Sequence, residues 1–392
     1  MPQYKYLIIG GGMSADAAVS GIREVDPEGS IGILTCESHP PYNRPPLSKG
    51  LWKGKPLEAI FRQSSKKNAD IHLSRFAEAI NLQSKLVTDD QGQNYSYEKL
   101  LLATGGTPRK LPFGGDEVIY FRTLDDFQKL SRLTEKKSRF AIIGGGFIGS
   151  ELTSALRDQG QDVVMLFPEH GIGSRIFPPD LASFLNDYYL QKGVKVLAGE
   201  LVSDIEERGS EFVLKTKSGR ELTVDHVVAG IGIIPNTSLA EKAGITVANG
   251  IEVDEYLQTS QTDIFAAGDV AGIFNPVLGF RMRVEHEDNA LSSGKAAGRN
   301  MAGKAEPYDH ISAFYSDMFE LGYEAVGELN PKLETFADWS DPFQKGVVYY
   351  LDRGRVKGVL LWNVWDQVDA ARQLISVPGP FTEENLKGRL PG

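Results

Sequence analysis

The sequence contains a single cysteine, Cys36, in 392 residues. That excludes an intramolecular disulfide, a CxxC redox pair and a multi-cysteine metal site. It fits a reducing compartment, so a cytoplasmic location is expected. Cys36 falls at the end of a strand-like segment and reads as a small core hydrophobe. No apolar run reaches the ~20 residues needed to cross a bilayer. The chain enters a strand-like segment at Tyr4, which leaves no room for a signal or transit peptide. There is no basic excess: 42 Lys and Arg stand against 52 Asp and Glu, a formal net charge of −10. A general nucleic-acid binder needs a basic footprint, so no nucleic-acid partner is expected. No metal site is expected either. What remains is an ordinary globular balance, 41% hydrophobic and 24% charged, which can bury a core without staples. At roughly 100–200 residues per domain, the length predicts two or three domains.

Strand and helix signals alternate from the start, the pattern of a parallel α/β sheet. Tyr4–Ile9 reads as a buried strand, followed by glycines, a helix to about Val25 and a strand Ile31–Thr35. The unit recurs: strand Phe140–Ile143, turn Gly144–Gly149, helix Ser150–Gln159, strand Asp162–Phe167. Two nucleotide-binding modules are therefore expected. Ala198–Val228 alternates around Ser218-Gly219 and reads as antiparallel strands. Near the C-terminus, strands Gly346–Leu351 and Val356–Leu361 precede a helix from about Gln367, and Lys387–Gly392 reads as a loose tail.

The first turn, Gly10-Gly11-Gly12-Met13-Ser14-Ala15, fits G-x-G-x-x-G/A. Gly10 permits the tight turn, Gly12 a close approach to a pyrophosphate, and Ala15 close packing of helix on strand. The helix N-terminus then offers free N–H groups to phosphate. Glu37, past the next strand, can accept from ribose hydroxyls. The second turn, Gly144-Gly145-Gly146-Phe147-Ile148-Gly149, has a true third glycine, and Glu169 ends its second strand. A carboxylate there favours NADH over NADPH, although nearby Arg175 could accommodate a 2′-phosphate. Gly232, in Ile231–Asn236, would let the chain pass close to a nicotinamide. Two more segments bear on the first module. Ala103-Thr104-Gly105-Gly106 follows an apolar strand, and Thr262–Asp269 ends in a carboxylate. The second of these resembles the motif with which two-dinucleotide flavoproteins hold the ribityl chain of FAD, which makes Asp269 an FAD contact. Because Asp269 lies beyond the second turn, the FAD domain must be discontinuous.

These features, with Pro41–Lys49, Arg283-Val284-Glu285-His286, Gly322–Gly327 and Leu361-Trp362-Asn363, resemble the ferredoxin-reductase-like flavoproteins, most closely the apoptosis-inducing-factor branch. The resemblance implies an α/β fold with two Rossmann-like dinucleotide-binding domains and a smaller α+β C-terminal domain. The FAD domain would be 1–107 and 233–312. The NAD domain, 108–232, would be inserted in it, and 313–392 would form an interface domain. By the same resemblance FAD would lie along Glu37, Ser38, Arg44, Lys49, Ala77, Arg122, Asp269, His286 and Glu287, besides the first turn and Ala103–Gly105. Lys49 would pair with Glu151 beside the flavin N5. NADH would meet Gly144–Gly149, Glu151, Glu169, Arg175, Gly232, Glu285, His286, Tyr315, Glu324 and Asn363. A tryptophan is common in the family where Tyr315 stands.

An FAD-dependent NADH oxidoreductase is therefore expected, with hydride passing from NADH to flavin N5. Disulfide reduction is excluded by the lone cysteine. A ferredoxin- or rubredoxin-type protein, a quinone and a small acceptor all remain as oxidants, and a homodimer is compatible with the resemblance. The other reading is an NADH-responsive scaffold with slow turnover.

Overall fold

A computed structural model describes residues 1–390. The chain divides into two compact units. The first comprises Met1–Arg44, Pro56–Thr107 and Ile234–Ser312; the second comprises Pro45–Lys55, Pro108–Ile233 and the chain from Ala313.

In the first unit, the strands Ala69–His72, Ile31–Leu34, Gln3–Ile9, Asn94–Leu102 and Ile264–Ala266 run parallel in that order. Buried on both faces, Tyr6–Ile9, Ile31–Leu34, Leu100–Leu102 and Ile264–Ala266 are the continuous apolar runs that a parallel sheet requires; Leu7, Ile8, Ile33, Leu101 and Ala266 are all fully enclosed. Asn94–Leu102 is long enough to serve two partners. Its first half pairs antiparallel with Leu86–Asp89, and its second half pairs with Ile264–Ala266. The helices Met13–Val25 and Glu287–Met301 lie against each other. A Cβ at Gly298 would sit 2.2 Å from the Ala18 carbonyl. Close helix contact thus explains a glycine-rich helix that propensity alone would disfavour.

The second unit repeats the theme. Lys195–Ala198, Asp162–Phe167, Arg139–Ile143, His226–Ala229 and Ile119–Tyr120 form a five-stranded sheet, and Val202–Val224 forms three antiparallel strands reversing at Ser218-Gly219. The helix after its glycine turn is Phe147–Asp158, starting three residues earlier than the sequence pattern placed it. Gly146 caps it directly, so helix begins inside the glycine turn, as it does at Met13 in the first unit. The chain from Ala313 forms a five-stranded antiparallel sheet. Its order is Ala313–Met318, Leu321–Gly327, Arg355–Trp362, Lys345–Asp352, Glu334–Asp341, with the helix Val368–Ser376 beside it. Three of these strands escaped the sequence reading. The two edge strands carry polar and aromatic side chains (Tyr315, Asp317, Glu334, Asp338) where a clean apolar alternation would have marked them, and the mostly buried Leu321–Gly327 has its pattern interrupted by Gly322 and Gly327.

Two expectations are corrected. Cys36 is exposed, not a core residue. The strand stops at Leu34, two positions earlier, and desolvation together with Glu37 pushes the Cys36 thiol up, away from a reactive thiolate. The tail is not loose as far as Leu390. Leu386 and Leu390 are buried, and the Gly388 N–H donates to Asp338 at 2.7 Å. Residues 391 and 392 lie outside the described residues.

Candidate coenzyme sites and a buried lysine–glutamate pair

Each glycine turn is shaped by what a side chain would strike. At Gly10, φ is +113° and a Cβ would lie 2.1 Å from the Ala103 carbonyl. At Gly144, φ is +119° and the clash is with the Gly230 carbonyl at 2.3 Å. Only glycine tolerates either. By contrast, a Cβ at Gly12 or Gly146, the two N-caps, would meet no atom within 4 Å. Those positions open onto space before a helix N-terminus, the geometry that admits a pyrophosphate. The fit to a dinucleotide therefore holds at both turns.

Around the first turn the unit closes in. A Cβ at Gly268 would approach Ser14 Oγ to 2.2 Å, so the loop bearing Asp269 rests on the turn itself. Ala103 N–H donates to the Ile9 carbonyl, and Asn236 holds Thr104 and Gly105 through three hydrogen bonds of 2.8–3.0 Å. Glu37 is gripped on both oxygens: Tyr42 donates to Oε2 at 2.6 Å and Arg44 to Oε1 at 2.5 Å. Ser38 beside it is exposed, and Ala77 opens an edge strand with its side chain buried. His286 caps the Glu287–Met301 helix, whose first residue is Glu287. Glu285 pairs with Arg283 at 2.5 Å, and Arg283 also donates to the Asp269 carbonyl.

In the second unit Glu169 is held more lightly. Arg175 places Nε and Nη2 on the same oxygen, Oε1, at 3.0 and 2.8 Å, and its side chain is 81% exposed. Gly232, with φ at +94°, accepts from the Arg109 N–H. Arg122 precedes the capping box of the Leu124–Leu133 helix, its N–H donating to Asp126.

The same unit contains Lys49 and Glu151. Glu151, 4% exposed, accepts from Lys49 Nζ at 2.6 Å and Ser316 Oγ at 2.5 Å on Oε1, and from Ser48 Oγ at 2.5 Å on Oε2. Three donors, one of them charged, keep a buried carboxylate satisfied. Ser48 and Ser316 went unassigned in the sequence. Ser48 lay inside the matched Pro-Pro-Leu-Ser-Lys run, whereas Ser316 sits on a strand with no periodic signal. Burial and the Glu151 charge also push the phenol of Tyr323 well up, so it stays protonated. Lys49 Nζ stands 5.1 Å from the centre of the Tyr315 ring, and Phe147 meets Phe314 edge to face. Tyr315 lies directly across from Glu324 on the neighbouring strand. Glu324 Oε2 is buried with no hydrogen-bond partner among the described residues; burial and then the Asp366 charge raise the carboxyl, offset in part by a hydrogen bond from the Asp366 backbone. Asn363 is occupied within the fold: it accepts from the Gly322 N–H and donates to the Gln344 carbonyl. The described residues hold no cluster of three or more metal-ligating side chains, and no helix among them is long and apolar enough to cross a membrane.

Residues 4–294 match the family described as pyridine nucleotide-disulphide oxidoreductase. Residues 297–342 and 337–377 match the apoptosis-inducing factor, mitochondrion-associated, C-terminal family. The chain is 36% identical to apoptosis-inducing factor 1, mitochondrial, of Dictyostelium discoideum, over 95% of this chain and 78% of that protein. It is 33% identical to monodehydroascorbate reductase 3 of Arabidopsis thaliana, over 91% and 89% of the two chains. Among solved structures, the covalent putidaredoxin reductase–putidaredoxin complex superposes with a TM-score of 0.92 at 28% identity, covering 98% of this chain and 96% of that one. With two dinucleotide turns, a Rossmann-like sheet around each and a C-terminal domain of this type, the chain belongs to the pyridine nucleotide-disulphide oxidoreductase family and is an FAD- and NAD(P)H-dependent oxidoreductase.

Proposed function

We propose that this enzyme oxidises NADH at the second turn and delivers the electrons to a one-electron protein acceptor of ferredoxin type. The observation that carries the reading is the buried Lys49–Glu151 pair at 2.6 Å, reinforced by Ser48 and Ser316. Segments 1–107 and 233–312 would bind FAD, 108–232 NADH, and 313–392 would form the interface domain. Gly10–Ala15, Glu37, Ser38, Arg44, Ala77, Ala103–Gly105, Arg122, Asp269, His286 and Glu287 would hold FAD. Its isoalloxazine supplies conversion of two-electron hydride input into one-electron output. Gly144–Gly149, Glu169 and Arg175 would bind the adenosine and pyrophosphate of NADH, with Gly232, Glu285, Tyr315, Glu324 and Asn363 framing its nicotinamide. The Lys49–Glu151 pair would fix the local field where hydride arrives, a preorganised charge that needs no rearrangement during transfer. Glu169 favours NADH because a carboxylate repels a 2′-phosphate. A ferredoxin-type acceptor is supported by the putidaredoxin complex and by 30% identity to the 5,5'-dehydrodivanillate O-demethylase ferredoxin reductase subunit of Sphingobium. The lone cysteine offers no dithiol as an alternative exit.

Anaerobic NADH titration followed by mixing with ferredoxin, quinone or oxygen tests this. Reoxidation by ferredoxin at many per second is the expected result. Reoxidation by oxygen alone, with a long-lived reduced complex and altered assembly, would instead support the NADH-responsive scaffold, which the apoptosis-inducing-factor relatives favour. Lys49→Ala should slow flavin reduction by roughly 100-fold, the scale of one lost electrostatic donor, with FAD still bound. An unchanged reduction rate removes the pair from the hydride site.

A further inference from the structure

A cleft in the second unit, lined in part by Glu151, is left unused by the proposed coenzyme sites. Its volume is about 30 Å³, room for roughly two waters. Glu151, Ser154, Ala155 and Asp158 all line it. They recur at the i, i+3, i+4, i+7 positions that stack side chains along one helix face. Seven residues at 1.5 Å rise make this stripe about 10 Å long. It begins at buried Glu151 and ends at Asp158, which is exposed. Ser48, Lys49 and Asp317 add further polar wall, and Trp52 and Phe319 flank it.

We propose that this cleft is the proton exit of the Lys49–Glu151 site. The proposal rests on that pair standing where hydride arrives. Oxidation of NADH by one-electron acceptors balances as NADH + 2 A(ox) → NAD⁺ + 2 A(red) + H⁺. The C–H bond of NADH breaks with its electron pair, the two electrons leave singly on two acceptors, and the hydrogen is left as a proton. A ferredoxin-type acceptor does not carry that proton away, so the proton must reach solvent by its own path. A quinone would take it up instead (NADH + Q + H⁺ → NAD⁺ + QH₂) and would need no exit. Lys49 and Glu151 form the inner end of the route, two waters its middle and Asp158 its mouth. Burial raises the Asp158 carboxyl, Lys53 and Lys192 lower it, and Glu320 raises it. Glu320 is itself held down to about 2 by Lys192 and Tyr188, so it remains a fixed negative charge beside the mouth. Asp317 is the other carboxylate along the path.

The test uses the FAD-loaded protein, reduced anaerobically with NADH and mixed with a [2Fe–2S] ferredoxin in weak buffer containing a pH indicator. Wild type should release one proton per two electrons, in step with reoxidation. Asp158→Asn should delay the proton and slow reoxidation about tenfold, enlarge the solvent deuterium effect, and respond to added imidazole. Ala155→Leu, which fills the cleft, should give the same delay without rescue, and its crystal structure should lack two waters that the wild type shows. Protons keeping pace with electrons in both variants would overturn the proposal. So would Asp158→Asn slowing reduction as much as reoxidation. The underlying reading fails separately, if Lys49→Ala leaves reduction by NADH untouched.

Discussion

The two glycine turns share a backbone and differ in their surroundings. Gly12 and Gly146 both have φ of −89°, with ψ of −169° and −166°, and both open onto empty space. The differences lie one step outward. The first turn carries the Gly268–Asp269 loop on Ser14 and has Glu37 clamped at both oxygens. The second has Glu169 held at one oxygen by a largely exposed arginine. The backbone therefore suits one class of ligand, a dinucleotide, at both turns, and on the proposed assignment the surroundings would decide whether it stays. A site whose recognition groups are already locked into the fold suits a resident FAD. A lightly held site suits a coenzyme that must leave each turnover.

The largest expected effect would break the symmetry at the third position of the motif. A Cβ at Gly149 would lie 2.0 Å from the Gly144 carbonyl, whereas Ala15 already carries one there and is fully buried. Gly149→Ala should therefore weaken NADH binding by up to roughly 100-fold, since overpacking costs about 1–3 kcal/mol and 1.4 kcal/mol is tenfold. FAD content should not change. Coenzyme titration by protein fluorescence, with the ratio of flavin to protein absorbance, reads both. Loss of FAD with NADH binding intact would reverse the assignment of the two turns.

Glu169→Ala comes next. It should weaken NADH about tenfold, the scale of losing one hydrogen bond to a charged group, and NADPH far less, because Arg175 would be released to meet the 2′-phosphate. Equal losses for the two coenzymes would end the case that Glu169 selects between them.

Much of this contrast could be read in the sequence. The turns, their strands and the acids at Glu37 and Glu169 follow from local rules: tight backbone, period of burial, helix N-terminus. That the loop bearing Asp269 returns to the first turn was legible as well, through its resemblance to a known motif. What stayed hidden depends on packing between segments far apart in the chain. Ser316 reaches Glu151 across 165 positions, and nothing local marks it. Cys36 was misplaced because a strand end cannot be fixed within one or two residues from pattern alone. The C-terminal sheet was half seen, because its polar edge strands lack a clean alternation.

The same distinction between closed and open sites sorts two carboxyls of the second unit, one buried and one half-buried. Glu151 has three donors, while Glu324 Oε2 has none among the described residues. A carboxyl raised in the folded state binds its proton more tightly there than in the unfolded chain. Its stabilising contribution is thus complete below the usual carboxylate range and lost as pH rises through the raised value. Glu324→Gln, always neutral, should match wild type in thermal unfolding near pH 4. At pH 8 it should exceed wild type by about 1 kcal/mol, taken at the low end for an unsatisfied buried group because the residue is only partly enclosed. Parallel melting curves at both pH values would show that Glu324 Oε2 has a partner when folded.

The last effect isolates the third position from the other side. Ala15→Gly removes one buried methyl and places glycine in the first turn of a helix. Loss of the methyl and the greater backbone entropy of glycine each cost up to about 1 kcal/mol. The variant should therefore melt a few degrees lower and remain yellow, with FAD at its wild-type ratio. The asymmetry with Gly149→Ala follows from geometry. Subtracting a methyl leaves a small gap that the helix can close, whereas adding one drives a carbon into a carbonyl oxygen that has nowhere to go. If Ala15→Gly instead strips the flavin, the methyl itself is what seats the first turn against its ligand. The two turns would then differ in their own shape, and not only in their surroundings.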